Sequence, residues 1–224
     1  RKIVRIMSKS DYFTVIWIAF RIATVNEQGK VADSMADPKV CVTLDGTTVE
    51  EMTDEAARAN LAGADIVEVR FDRLYLIKPD PTISDEEEGE KPELPPENDW
   101  ETMNMGDVDV EASIAALKEG LPLPVIFTVR PVSEGGFFPG VESERIEILQ
   151  KAIDSKVSWI DLELSIDGST RKSLQDAASA NGCQVIASSH DINGTPDAET
   201  IVAMVRDNQD AGDIVKFCGT ANNH

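Results

Sequence analysis

A lysine in an apolar run is the first residue of this sequence whose type and position suit covalent chemistry. Lys216 lies within Ile214–Cys218, a run that is otherwise typical of a buried strand. Burial of an ammonium group lowers its pKa by desolvation, and a neutral amine is the nucleophile that imine formation with a ketone requires. The pattern therefore predicts a nucleophilic lysine of lowered pKa. A structural lysine paired with a neighbouring carboxylate is the alternative.

The candidate for proton transfer is a histidine that follows a predicted strand. The chain has two histidines, and His224 is its final residue, which leaves His190 after Ala187-Ser188-Ser189. An imidazole with an ordinary pKa near ~6.5 can take up and return a proton at neutral pH. His190 is therefore predicted to be a proton shuttle, with a structural histidine as the alternative.

A glycine-rich segment offers a carboxylate that could assist this histidine. Glu134 lies in Ser133-Glu134-Gly135-Gly136, whose glycines allow a left-handed turn or a close approach of the backbone to a ligand. A carboxylate here could orient His190 and stabilise its charged form, as carboxylates beside a general base commonly do.

Charged residues also end two other predicted strands. Glu68 and Arg70 alternate along a strand and so point to one side of it, and Arg130 ends the next strand. Charged groups directed into a barrel are costly unless they are paired or used. Two interpretations stay open for these residues: contacts with a substrate, or an ion-pair layer that holds the barrel together.

From residue 39 onward, the secondary-structure elements that position these residues are predicted to alternate between strands and helices, as in βαβ units. Short β-rich runs alternate with helical patterns, which is typical of a parallel sheet. The predicted strands span residues 40–44, 65–70, 125–130, 159–164, 184–188 and 213–218. The predicted fold class is α/β, a (β/α)8 TIM barrel with about six of its eight strands present. In that fold the active site lies at the carboxyl ends of the strands, where the candidate residues fall.

The predicted barrel spans residues 39–218 and is interrupted by one segment of different composition. Residues 78–110 are rich in Pro, Asp and Glu, with 13 acidic residues against Lys91 alone between Asp80 and Glu111. We interpret this segment as a disordered acidic insertion without a catalytic role. Residues 1–38 are predicted to be an N-terminal extension or a strand under the barrel, with a basic start that a targeting remnant would share. Residues 219–224 are predicted to be a tail.

Composition excludes several classes of partner. The formal net charge of −20 argues against nucleic acid, which needs clustered Lys and Arg. No residue set has metal-ligand spacing, and the apolar run 13–22 is too short to span a bilayer. The three widely spaced cysteines predict a reducing compartment.

Taken together, the segments resemble type I 3-dehydroquinate dehydratase, particularly the form that is fused to shikimate dehydrogenase in plants. The order and spacing of the segments agree with that family over residues 39–218, apart from the insertion. The matching stretches are residues 64–72, 127–136, 159–164, 188–196 and 212–216.

The resemblance implies a role for each candidate residue. Lys216 would form the imine, His190 would act as general base and acid, and Glu134 would be hydrogen-bonded to His190. Glu68, Arg70 and Arg130 would contact the substrate. The implied enzyme is a hydro-lyase of the shikimate pathway that converts 3-dehydroquinate into 3-dehydroshikimate.

The resemblance also implies what the reaction needs. No cofactor is expected beyond the covalent imine, and NADP would enter only with a shikimate dehydrogenase domain, fused or associated. The expected partner is the small-molecule substrate, with neither nucleic acid nor a membrane involved. A cytoplasmic or plastid location is expected.

One departure from the family pattern concerns the end of the chain. The chain stops after six predicted strands, so the family's carboxylate-binding arginine and the Ser and Gln of its closing loop have no counterpart here. We therefore predict that the chain is a fragment with weak or no activity alone. Two other readings stay open, a class I aldolase-like Schiff-base barrel and a non-catalytic remnant of the domain.

Overall fold

The fold is built on a curved sheet whose central strands are parallel. The computed structural model describes residues 39–80 and 94–220, and describes the backbone alone for residues 7–10, 13–18, 21–25 and 31–35. The strands are β1 Met7–Ser10, β2 Phe13–Ile18, β3 Arg21–Val25, β4 Val31–Met35, β5 Lys39–Leu44, β6 Ile66–Arg70, β7 Val125–Thr128, β8 Trp159–Glu163, β9 Gln184–Asp191 and β10 Ile214–Gly219.

Strands β5 to β10 run parallel and in chain order, each beside the next. At the other edge, β2 pairs antiparallel with β5, and β1 pairs antiparallel with β2, while β3 and β4 form a separate two-stranded sheet. Six parallel strands with helical crossovers are the arrangement of the (β/α)8 barrel, which confirms the predicted fold class.

Within the described part of the chain, five helices make the crossovers and cover the outer face of the sheet. They are α1 Val49–Leu61, α2 Val110–Gly120, α3 Glu142–Asp154, α4 Gly168–Asn181 and α5 Ala198–Asp207. Thr48 caps the start of helix α1, because its hydroxyl accepts a hydrogen bond from the Glu51 amide, which lacks an intrahelical partner. Within the described residues, no helix is both long enough and apolar enough to cross a membrane.

The alternation of side chains along the strands divides the sheet into two faces. Outward-facing residues such as Val67, Phe127 and Ile160 pack against the helices in the main hydrophobic core. On the inner face, one apolar layer stands at the amino ends of the strands: Cys41, Ile66, Ile126, Ile186 and Ile214, with Trp159 packed against it. Because strand side chains alternate with a period of two, the next residues on that face lie one level higher, and they are polar.

That polar level carries Glu68 and Lys216, two of the residues that the sequence analysis singled out. Two residues beyond each member of the apolar layer and Trp159 lie Thr43, Glu68, Thr128, Asp161, Ser188 and Lys216. All six of these residues are buried. A buried layer of polar side chains therefore lies above the apolar layer, on the side of the carboxyl ends of the strands.

The structure corrects the predicted acidic insertion. Residues 94–110 do not form a disordered loop, because they contain two short 3-10 helices, Glu97–Asp99 and Met105–Asp107, and a bridge between Leu76 and Thr102. The amide of Met103 also donates to the carbonyl of Tyr75 at 2.7 Å. The composition of the segment indicates its acidic charge but cannot indicate its backbone hydrogen bonds. Residues 81–93 of the predicted insertion lie outside the described residues.

Several predicted boundaries also move, among them the ends of β9 and β10. Strand β9 continues through His190 to Asp191, so His190 lies within the strand rather than after it. Gly219, predicted to begin a tail, ends β10, and the Thr220 amide donates to the carbonyls of Asp191 and Gly194. Residues 221–224 of that tail lie outside the described residues. Asp is depleted in strands, and β9 reaches Asp191 through its pairing with β10.

Candidate active site

A polar cavity of about 380 Å³ opens at the carboxyl ends of the parallel strands. It lies where parallel barrels collect their functional residues, because the loops after successive strands meet there. All six residues singled out from the sequence line it: Glu68, Arg70, Arg130, Glu134, His190 and Lys216.

Lys216 is buried and paired with carboxylates. Its Nζ lies 2.7 Å from Oδ2 of Asp161 and 3.7 Å from Oε1 of Glu68. Burial lowers the pKa of Lys216, but the charges of Asp161 and Glu68 outweigh burial and raise the pKa above its usual value. The prediction of a lowered pKa is therefore wrong, and the alternative of a carboxylate-paired lysine holds. The apolar run around Lys216 gave no sign of two carboxylates on other strands.

Glu68 is fixed beneath the lysine by two hydroxyl groups. Thr43 Oγ1 donates to it at 2.8 Å and Thr128 Oγ1 at 3.0 Å. Burial favours the protonated form, but the charges of Lys216, Arg130 and Arg70 together outweigh burial and lower the pKa of Glu68 to about 2. Glu68 is therefore a carboxylate at neutral pH, and the pair with Lys216 is ionic.

His190 lies between a carboxylate and a guanidinium. Its Nδ1 is 2.9 Å from Oε2 of Glu134 and 2.9 Å from Nη1 of Arg130. A carboxylate can only accept a hydrogen bond and a guanidinium can only donate one. Nδ1 therefore donates to Glu134 when it carries a proton and accepts from Arg130 when it does not. Each protonation state of this nitrogen thus has a partner in place.

The pKa of His190 reflects its partners more than its burial. Burial lowers this pKa, whereas hydrogen bonds with Cys218 and Glu134 raise it, and the balance lies above the usual value. Burial raises the pKa of Glu134, but the hydrogen bonds with His190 and Ser165 outweigh it, so the pKa is lowered. The two shifts share one cause, because the hydrogen bond between His190 and Glu134 stabilises the charged form of each group.

The glycine-rich turn brings Glu134 to this position. Gly135 has a φ of 77°, which is in the left-handed region, and ends a short 3-10 helix. A Cβ at Gly136 would lie 2.0 Å from the carbonyl oxygen of Arg130, so only glycine allows this approach. Ser165 Oγ donates to Glu134 at 2.5 Å, and Glu134 also accepts the His190 amide.

Arg130 connects the lysine and the histidine through a fully buried network. Its guanidinium donates to Glu163 at 2.7 Å, to Asp161 at 3.3 Å and to Ser188 at 3.2 Å. Arg145 donates to the second oxygen of Glu163 at 2.6 Å. Because burial of an unpaired charge is costly, these pairs fix one another in position.

Arg70 makes a two-point contact with Asp72. Its Nε and Nη2 lie 2.9 and 2.7 Å from the two carboxylate oxygens. Asp72 also accepts the amides of Arg130 and Phe137, which ties β6 to the turn after β7. The guanidinium of Arg70 therefore borders the cavity in a fixed orientation.

Several site residues were not identified from the sequence. Thr43, Thr128, Asp161 and Ser188 could have been found by counting two residues back from the charged strand ends, because that step stays on one face. Arg73 and Glu97 carried no such signal. They face each other across 24 residues, and Glu97 belongs to the segment that was predicted to be disordered.

Known proteins resemble this chain over most of its length. The sequence model described as type I 3-dehydroquinase matches residues 40–224. The chain is 31% identical over 183 residues to the chloroplastic bifunctional 3-dehydroquinate dehydratase/shikimate dehydrogenase of Arabidopsis thaliana. The aligned region covers 81% of this chain and 25% of that protein. It is 32% identical over 178 residues to the 3-dehydroquinate dehydratase of Methanothermobacter thermautotrophicus, covering 80% of this chain and 64% of that protein. The chain thus spans less than two thirds of either relative.

The fold also resembles solved structures. A type I 3-dehydroquinate dehydratase from Clostridium difficile, solved with covalently modified comenic acid, matches with a TM-score of 0.63 at 23% identity. The match covers 82% of this chain and 63% of that protein. At this level of identity the likeness supports the fold alone.

Proposed function

This chain belongs to the type I 3-dehydroquinase family, and from that premise we propose that it catalyses the dehydration of 3-dehydroquinate to 3-dehydroshikimate through an imine on Lys216. The observation that carries the proposal is a buried lysine that shares one cavity with a histidine–carboxylate pair. The proposal rests on residue types, distances and burial, each of which suits imine chemistry followed by proton transfer.

The charge on Lys216 is compatible with this chemistry. An ammonium group and a ketone condense to an iminium and water, so the positive charge at this position is the same before and after the reaction. Asp161, at 2.7 Å, is placed to accept a proton while the amine attacks and to return it when water leaves. The carboxylates that hold the ammonium would then stabilise the iminium as well.

The iminium is the electron sink for the elimination. It acidifies the proton on the adjacent ring carbon, and we assign removal of that proton to the unprotonated His190. The electron pair of that C–H bond forms the new double bond, and the hydroxyl on the next carbon leaves with a proton returned by His190. Hydrolysis of the iminium releases 3-dehydroshikimate and restores Lys216. These steps consume no cofactor.

We assign Glu134 the role of orienting His190, and Glu68, Arg70 and Arg130 contacts with the substrate. A link to a shikimate dehydrogenase, of the kind recorded in the name of the Arabidopsis relative, is proposed as a partner relation, and NADP would serve only that domain. A plastid or cytoplasmic location with reduced cysteines is also proposed.

Reductive trapping tests the proposed function. Borohydride reduction in the presence of 3-dehydroquinate should add the mass of the reduced ligand to the peptide that contains Lys216, while dehydration is followed by the absorbance of the conjugated product. Product formation without any adduct would rule out the imine route. An adduct without product formation would instead favour an aldolase-like barrel or a non-catalytic remnant.

Glu134→Gln is expected to shift the pH profile of kcat/KM. His190 acts as a base only when unprotonated, so the rate should rise with pH through its pKa, which the hydrogen bond with Glu134 helps to raise. Glutamine weakens that hydrogen bond and so lowers the pKa, and the rise should move to lower pH, with roughly tenfold less activity from the lost orientation. Glu119→Gln, at an exposed position of α2, is the control. An unchanged profile in Glu134→Gln would refute the proposed role.

A further inference from the structure

A cysteine lines the candidate active site beside the histidine, and the proposed reaction does not use it. Cys218 lies two residues beyond Lys216 on β10, so the two side chains share the inner face of the sheet. In the parallel pairing of β9 and β10, Cys218 is the register partner of His190. Both residues line the polar cavity, and Cys218 is partly exposed. A thiol therefore lies next to the imidazole at a place that small molecules can reach.

The imidazole of His190 has one ring nitrogen available for this thiol. Its contacts with Glu134 and Arg130 both use Nδ1, each at 2.9 Å. The hydrogen bond between His190 and Cys218 therefore falls to Nε2, the other nitrogen of the ring. Glu134 and Cys218 thus bond to opposite sides of one imidazole.

A nucleophile beside a base, with a carboxylate that orients the base, is an arrangement that activates thiols. A thiol becomes a strong nucleophile when it loses its proton, and Nε2 of His190 is placed to accept that proton. The Glu134 carboxylate bonds to Nδ1 on the other side of the ring and stabilises the resulting imidazolium. The ammonium group of Lys216 also favours the thiolate, because the interaction through which Cys218 raises the pKa of Lys216 is mutual.

The other two cysteines of the chain have different surroundings. Cys41 belongs to the apolar layer at the amino ends of the strands and is 1% exposed, and Cys183 is 5% exposed. Burial, with a contribution from the charge of Asp213, raises the pKa of the Cys183 thiol to about 12. Since the reaction of a thiol requires both access and loss of its proton, Cys41 and Cys183 serve as internal references for Cys218.

We propose that Cys218, activated by His190 and Glu134, is a modification site within the candidate active site, at which small uncharged alkylating agents are attached covalently. The thiol proton moves to Nε2 of His190, the sulfur forms a bond with the electrophilic carbon, and the leaving group departs with the electrons of its bond. With iodoacetamide the products are a thioether and iodide. The attached group stands at Nε2, so the modification also takes His190 out of use as a proton shuttle.

Alkylation with iodoacetamide at neutral pH, followed over time by peptide mass mapping, measures the reactivity of all three cysteines in the folded chain. We expect Cys218 to react at least about fivefold faster than N-acetylcysteine in the same buffer, because only roughly 3% of an ordinary thiol, with a pKa of ~8.5, is thiolate at this pH. Cys41 and Cys183 should react more slowly than N-acetylcysteine because of their burial. A rate for Cys218 at or below that of N-acetylcysteine overturns the proposal, since access alone cannot raise a rate above that of a thiol in solution.

His190→Ala tests the source of the reactivity. This change enlarges the space around Cys218 but removes the base, so the alkylation rate of Cys218 should fall by roughly tenfold. Ser189→Ala, at the preceding residue on the other face of β9, should leave the rate unchanged. An equal or faster rate in folded His190→Ala shows that exposure alone governs the reaction, which overturns the proposal.

Glu134→Gln keeps the base and weakens only the contact that orients it. The alkylation rate of Cys218 should then fall by about threefold. Should His190→Ala not fold, this variant and the comparison with N-acetylcysteine decide the matter, and an unchanged rate in Glu134→Gln counts against the proposal.

These rates are measured without substrate, so they test the thiol independently of the proposed dehydration. An unreactive Cys218 in a chain that is trapped at Lys216 and turns over overturns this inference alone. A reactive Cys218 that depends on His190, in a chain that shows no dehydration, supports the modification site, and in that case only the proposed reaction falls.

Discussion

Lys216→Arg is expected to be folded, to form no borohydride-trapped adduct and to lose at least ~10⁴-fold in turnover. Arginine keeps a positive charge beside Asp161 and Glu68, so the buried carboxylates retain a counter-charge. A guanidinium remains protonated and cannot condense with a ketone. Mass mapping after reduction and the dehydration assay measure the two losses, and thermal unfolding measures the fold.

Two further variants interpret this result. Lys172→Arg, at a side chain that is 66% exposed on α4, should behave as wild type in all three measurements. Lys216→Met should be inactive too, but it should also lose about 3–5 kcal/mol in free energy of unfolding, because it leaves two carboxylates buried without their partner. A trapped adduct in folded Lys216→Arg would show that another amine carries the imine.

His190→Ala is expected to separate imine formation from elimination. The Lys216 amine and its carboxylates are unchanged in this variant, so trapping with 3-dehydroquinate should still label Lys216. Without the base at the adjacent carbon, turnover should fall by roughly 10²–10⁴-fold, the usual contribution of general acid–base catalysis. Peptide mapping and steady-state rates on the same preparation measure both quantities.

Ser189→Ala is the matched control for this variant, since Ser189 precedes His190 on β9 and so points to the other face. It should retain both adduct formation and turnover. If His190→Ala abolished the adduct, the histidine would be needed for imine formation, and our division of roles between Lys216 and His190 would be wrong. Near-normal turnover in His190→Ala would exclude it as the base.

The ionisation of the site shows where local sequence reasoning fails. The run around Lys216 predicts burial, and burial is what the structure shows. The sign of the pKa shift was nevertheless wrong, because Asp161 is 55 residues away on β8 and enters only through the curvature of the sheet. Desolvation is a local property of a strand, whereas the counter-charge depends on which strands face each other.

The acidic segment shows the same limit for order and disorder. Its charge density predicted an open loop, and charge density can be counted from the sequence. Whether one of those carboxylates meets a buried arginine cannot be counted, because Arg73 is brought to the cavity by the 3-10 helix after β6. The Arg73–Glu97 contact therefore depends on tertiary structure alone.

The sequence by itself determined the βα order, the six parallel strands and the residue types at their carboxyl ends. These follow from periodicity and burial, which act over a few residues at a time. The tertiary structure alone decided that Lys216 is an ammonium held by two carboxylates, that Arg130 as well as Glu134 contacts His190, and that Glu97 covers Arg73. These features are distances between charges on different strands and loops, and such distances are set only when the chain is folded.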